Sequence, residues 1–218
     1  MKGNTRKERK KDERRTEIIR VAERLFYAKG FDNVTMDEIA EEVDLSKGTL
    51  YLHFKNKDSL FFAIVTKHHA QCLELLLERV KDRENGKEKL RAIIQWYVDI
   101  AKANPEYIEM ASTYGPLIWS RMNTEDEVPM DENLLLYHEI LNEAIAEGIK
   151  DGSIRDDLDP MMLGFYVSLI SISVTSPLPA WKNGFELAGI SFIEFLDNFS
   201  RFIVPSIERT PKQRSKNT

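Results

Sequence analysis

The chain has 218 residues, enough for one or two domains, and its 42% hydrophobic content argues against a disordered protein. A single cysteine, Cys72, excludes an intramolecular disulfide and a Cys-rich zinc site, and favours a reducing compartment, the cytoplasm. The net charge of −5 divides unevenly: residues 1–57 carry 14 Lys and Arg against 11 Asp and Glu, net +3, and the remainder 17 against 25, net −8, so the basic end is the part suited to a polyanion.

Residues 1–12 read as a basic disordered arm with no apolar run behind it to make a signal peptide. From there the apolar spacing is helical almost throughout. Ile18, Ala22, Leu25 and Phe26 form the stripe of a helix over about 12–29, and Gly30-Phe31 is its stop. Thr35 and Glu38 have capping-box spacing before a helix over 36–43, and Ser46 caps another through Phe54 after the break Asp44-Leu45-Ser46. Asn56 caps a long fourth helix that meets no stop before Glu84-Asn85-Gly86. Helices then follow at 87–103, to about 112, from Pro116 to about 122, at 132–150, at 160–176 and at 185–203, ahead of a basic tail, 208–218, expected to be disordered. No alternating Val/Ile/Thr run suggests a sheet, so the fold expected is all-α with about nine helices.

Residues 160–181 hold no charge, and length alone would let them span a bilayer. Four serines, a threonine and Pro177 and Pro179 leave only about 16 uninterrupted helical residues, which fits a core or subunit-interface helix better than a membrane span.

The short pair 36–43 and 47–54 with its three-residue turn is a helix-turn-helix pattern, whose second helix would enter the major groove. With Leu50 and Phe54 turned inward, Lys47, Thr49, Tyr51 and His53 stay on the outer sides. Lysine and threonine suit base edges, whereas tyrosine and histidine donors, with Lys55 and Lys57 behind them, suit phosphate oxygens. Thr35 is placed to hold a phosphate at its helix start. Gly48 costs helix propensity, up to about 1 kcal/mol against alanine, and removes a side chain that would hold DNA off the backbone.

The run Thr35 to Leu60, "TMDEIAEEVDLSKGTLYLHFKNKDSL", together with "AERLFYAKGFDNV" before it, resembles the DNA-binding domain of the TetR family of transcriptional regulators over about residues 13–70. That resemblance implies that Lys47, Gly48 and Thr49 approach bases and that Thr35, Tyr51, His53 and Lys57 hold phosphates. With the cap Ser46 and with Lys55, these nine residues are the expected DNA-binding set. Leu52 departs from an aromatic often found at its position. The resemblance also implies a DNA-binding domain at 13–73, a dimerising effector-binding domain at 74–207, a homodimer, a double-stranded DNA operator and a small hydrophobic effector.

Trp96, Tyr97, Tyr107, Tyr114, Trp119, Tyr137, His138, Phe165 and Tyr166 are the aromatics expected to line an apolar effector pocket, although each is also suited to plain core packing. His68 and His69 are adjacent, diverge around a helix and make a poor metal pair, so no metal or cofactor is expected. None of the common catalytic motifs occurs, and a non-enzymatic repressor released from a palindromic operator is the reading adopted. The competing reading is a helical protein–protein adaptor that uses its basic end on acidic partners.

Overall fold

The computed structural model describes residues 6–125, 131–176 and 179–209, and every regular element among them is a helix. In chain order these are α1 (Arg6–Lys29), α2 (Met36–Glu42), α3 (Lys47–Tyr51), α4 (Lys57–Val80), α5 (Gly86–Ala103), α6 (Pro105–Glu125), α7 (Glu132–Asp151), α8 (Pro160–Thr175), α9 (Pro179–Leu187) and α10 (Phe192–Ile207). They form two compact units, and both α4 and α6 run from one into the other, with the divisions at His68/His69 and Ile108/Glu109. The single boundary expected after residue 73 therefore falls inside a continuous helix.

In the first unit, local chemistry sets each helix end. Gly30 adopts φ +80°, its N–H donates to the Phe26 carbonyl at 2.9 Å, and Phe31 folds back edge-on to Phe26 with centroids 5.1 Å apart. Thr35 caps α2 by accepting from Glu38 N–H. Beyond α2, Asp44 takes the left-handed φ of 52°, and the Leu45 and Asp44 N–H groups reach the Ala40 and Glu41 carbonyls at 2.9 and 3.1 Å. This is a Schellman turn with aspartate at the left-handed position, and it redirects the chain into α3. Ser46 caps α3 at the Thr49 N–H, and the Asn56 side chain caps α4 at the Ser59 N–H, 2.7 Å away. Phe31 is the hub of the core, in ring contact with Phe26, Phe61 and Tyr114. The half-exposed α1 residue Tyr27 and the α4 residues Lys67 and His68 all point at Glu23. Burial pushes the Glu23 carboxyl up, but hydrogen bonds from His68, Lys67 and Tyr27 outweigh it and hold the group down at about 2.

In the second unit, α5, α7, α8 and α10 enclose a core built on Leu90, Ile94, Leu141, Ile145, Val167 and Phe199. α5 starts in backbone contact with α7: an added Cβ on Gly86 would stand 2.0 Å from the Gly148 nitrogen. His69 pairs with the buried Asp131 carboxylate, which caps α7. The two adjacent histidines thus serve different carboxylates.

Several boundaries differ from expectation. α1 begins at Arg6, so residues 6–12 are helical where an arm was expected; α3 ends at Tyr51, with Phe54 buried in the turn after it. α6 passes through Pro116 without a break, because Tyr114 and Ile118 on either side of it are both anchored in the first unit. One helix expected at 185–203 is two, divided where Gly189 (φ +67°) ends α9 in a Schellman turn and Ser191 caps α10. Of the expected tail, Glu208 and Arg209 are paired to the 153–156 segment, through an isolated bridge from Glu208 to Ile154 and an ion pair from Arg209 to Asp156; residues 210–218 lie outside the described residues.

Candidate nucleic-acid interface

The nine expected DNA-facing residues separate into three chemical situations. Lys47, Gly48 and Tyr51 are exposed on α3, and Leu52 just beyond it is 83% exposed. Lys47 reaches Asp37 on α2 at 2.8 Å, a contact that raises the lysine's affinity for its proton through that hydrogen bond and charge. The pair is solvent-exposed at both ends, so Lys47 can exchange Asp37 for another acceptor at little cost. An ideal Cβ on Gly48 would have no heavy atom within 4 Å, and no positive φ is needed there. Nothing inside the protein, then, requires glycine at this point.

Thr35, Ser46 and Thr49 are held by capping: Ser46 and Thr49 hydroxyls lie 2.8 Å apart, and both helix starts use their cap oxygens internally. The Thr35 hydroxyl hydrogen, and whichever of the Ser46 and Thr49 hydrogens is not used between the two, can donate to an incoming acceptor. Lys55 is exposed and already has a partner of its own.

Lys57, expected at a phosphate, is half-buried and engaged inside the protein. Its ammonium donates to the Phe31 carbonyl at 2.6 Å and the Val34 carbonyl at 2.9 Å, and lies 4.3 Å from the Phe31 ring centroid. The side chain fastens the α1–α2 connection to the start of α4, a positioning task that its sequence context did not reveal. His53 is half-buried, with Nδ1 unpartnered among the described residues. Burial lowers its pKa, and the positive charges of Lys11, Arg15 and Arg14 on α1 lower it further. None of these three α1 cations was singled out from the sequence; the signal available was their helical spacing ahead of Ile18.

Of the nine pocket aromatics, five form a continuous chain in the second unit. Trp96 stacks on Tyr137 at 5.5 Å, Tyr97 meets both, and Tyr137 leads through His138 to Phe165. Tyr107 is buried in the same unit. Tyr114 is not part of this group; it packs on Phe31 in the first unit. Tyr166 is on the exposed side of α8, and the Trp119 side chain lies outside the described residues. The Tyr97, Tyr137 and Ser168 hydroxyls converge; burial pushes Tyr97 up to about 12 and raises Tyr137 further. Yet among the described residues the Tyr137 and Ser168 hydroxyls, and that of Ser171 one turn along α8, have no partner of full hydrogen-bond geometry. Ser168 and Ser171 had no signature in the sequence beyond being polar residues in an apolar helix.

Two capped short helices joined by a tight turn, with an exposed basic residue and an unhindered glycine at the start of the second, define a helix-turn-helix DNA-binding protein. Residues 18–64 match the family described as bacterial regulatory proteins, tetR family. The Bacillus subtilis fatty acid metabolism regulator protein is 27% identical over 143 residues, 66% of this chain and 72% of that protein. The fatty acid degradation regulator FadR of Bacillus halodurans has the same fold, with a TM-score of 0.67 at 16% identity over 87% of this chain and 94% of that one. So does FadR of Bacillus subtilis, solved in complex with stearoyl-CoA, with a TM-score of 0.61 at 20% identity over 88% and 98% of the respective chains. Residues 18–64 thus belong to the tetR family of bacterial regulatory proteins. Among the described residues no helix is long and apolar enough to cross a membrane.

Proposed function

We propose that this regulator is a homodimeric repressor that binds a palindromic operator through α3 and is released by a small amphipathic effector bound in its second unit. The observation that carries the operator reading is Gly48: a position open to solvent, where glycine serves no internal purpose and admits DNA to the helix backbone. Lys47 and Thr49 beside it are the base-reading candidates, and Tyr51 and His53 the phosphate contacts.

Dimerisation is supported by the inverted character of α8. Its buried face carries Gly164, Ser168, Ser171 and Thr175 with Leu163 and Val167, while Met161, Phe165, Leu169 and Ile172 face outward, Leu169 being 60% exposed. On the neighbouring α10, Phe202 is 80% exposed. A large apolar face with small residues behind it suits an obligate twofold seam.

The effector reading is supported by the buried hydroxyls of Tyr137, Ser168 and Ser171, which lack a partner of full geometry among the described residues and so keep donor and acceptor capacity for a ligand. Beside Trp96 and Tyr97 they provide polar contacts in an aromatic wall, suited to a molecule with an apolar body and a polar group. With the stearoyl-CoA complex of the similarly folded FadR in view, long-chain acyl thioesters are the first ligands to test. Binding that favours a dimer with unsuitable α3 spacing lowers DNA affinity, and DNA lowers effector affinity by the same factor.

The test is Lys47→Ala in a binding titration against its selected duplex and base-changed versions. A loss of about ten- to a hundredfold, with relaxed preference at one base pair, is expected if Lys47 reads a base. Unchanged affinity on every duplex would reject α3 as the reading helix.

A further inference from the structure

The N-terminal turns of α1 keep their acids off one face, while Arg6, Arg9 and Lys10 share the other faces with them. Residues 6–16 are all exposed, so solvation alone would let acids and bases mix. At about 100° per residue, however, Lys7, Lys11, Arg14 and Arg15 fall within roughly 60° of the line that Ile18, Ala22 and Leu25 follow into the core. Glu8, Asp12, Glu13 and Glu17 lie outside that sector, and Glu17 is engaged by Arg20 at 2.7 Å. One helix face is therefore apolar where it packs and cationic where it leaves the core.

That cationic face adjoins the end of the reading helix. The Arg15 guanidinium lies 4.4 Å above the Phe54 ring, and Lys11, Arg14 and Arg15 are near enough to His53 to disfavour its protonation. Lys7, Lys11, Arg14 and Arg15 are thus like charges at i, i+3 and i, i+4 spacing along one helix face. Such a cluster repels itself, and an anion beside it would relieve the repulsion. The phosphate backbone is the anion that must pass nearby if α3 lies in the groove, because backbone runs along both of its rims.

We propose that Lys7, Lys11 and Arg14 of α1 form a second DNA-contact strip, which takes the phosphates flanking the bases that α3 reads. Arg15 positions this strip by its contact with Phe54. The inference rests on the operator reading above, and it makes α1 part of the DNA footprint instead of a brace alone. Its contribution is independent of sequence, so it lengthens the footprint without adding specificity.

The experiment uses the full chain and the triple variant Lys7→Gln/Lys11→Gln/Arg14→Gln, which leaves Arg15 on Phe54. Affinity is measured across a salt series on two duplexes carrying the same selected operator, one with long flanks and one trimmed to the bases α3 reads. The wild type should bind the long duplex more tightly and with a steeper salt slope. The variant should lose that advantage, with a log–log slope on the long duplex shallower by about 2–3, near 0.9 per phosphate contact, while matching the wild type on the trimmed duplex. An unchanged slope on the long duplex would overturn the strip. Equal loss on both duplexes, with the thermal transition intact, would also overturn it, since the trimmed duplex lacks the flanking phosphates. Failure of the wild type on every duplex would instead refute the operator reading.

Discussion

A methyl group at Gly48 would meet no protein atom within 4 Å, which separates the cost of DNA exclusion from the cost of folding. Gly48→Ala should leave the unfolding free energy unchanged or raise it by up to about 1 kcal/mol, because alanine is the better helix former. Operator affinity measured by anisotropy should fall in the same protein. A variant that binds DNA normally would remove the reason given for the glycine. Lys57 gives the opposite case: Lys57→Ala removes donors from the Phe31 and Val34 carbonyls and should lower stability by about 1–3 kcal/mol in chemical denaturation. The salt slope of DNA binding should stay as it is, and a shallower slope with full stability would assign Lys57 to the phosphate contacts. The caps Thr35, Ser46 and Asn56 were legible from sequence because a cap oxygen and its N–H are two or three residues apart. The role of Lys57 was not, because its acceptors lie more than twenty residues away and meet it only after folding.

At the scale of elements, a sequence stop is legible where a single left-handed glycine ends a helix, as at Gly30. It is misread where tertiary anchoring overrides a breaker. α10 continues past Pro205 because Val204 and Ile207 are buried on either side of it and the Ile207 carbonyl accepts from Arg155 N–H. Gly189, by contrast, is a true left-handed stop that apolar periodicity alone passes over. The close approach of α5 to α7 is also invisible in the chain: Gly86 follows an N-cap and looks like ordinary turn chemistry, yet it stands against the backbone of Gly148. Gly86→Ala places its new carbon against atoms that cannot swing aside, and a loss of about 3 kcal/mol or more is expected by thermal or urea unfolding. A small loss would mean that α5 and α7 separate easily at this crossing.

For the whole molecule, charge asymmetry and the inverted α8 describe one design: a basic reading end, and an apolar face suited to a second copy. Composition already showed the first, while the second needed the structure, since an uncharged helix does not reveal which of its sides is turned inward. Leu169→Glu should shift the protein from dimer to monomer in sedimentation while the helical signal is kept; a dimer that survives this charge would place the seam elsewhere. Of the proposed effector contacts, Trp96, Tyr97 and Tyr137 stand out in the sequence as aromatics but converge as a core also would, whereas Ser168 and Ser171 draw notice only through their burial in the fold. The most direct measurement for the central claim is selection of bound sequences from a pool of randomised duplex DNA by the full-length protein. A twofold-symmetric consensus whose half-sites are read by α3, and whose specificity changes in Lys47→Ala, is the result expected. Recovery of no consensus, or of one without twofold symmetry, would contradict a homodimer that presents two copies of α3 to one operator.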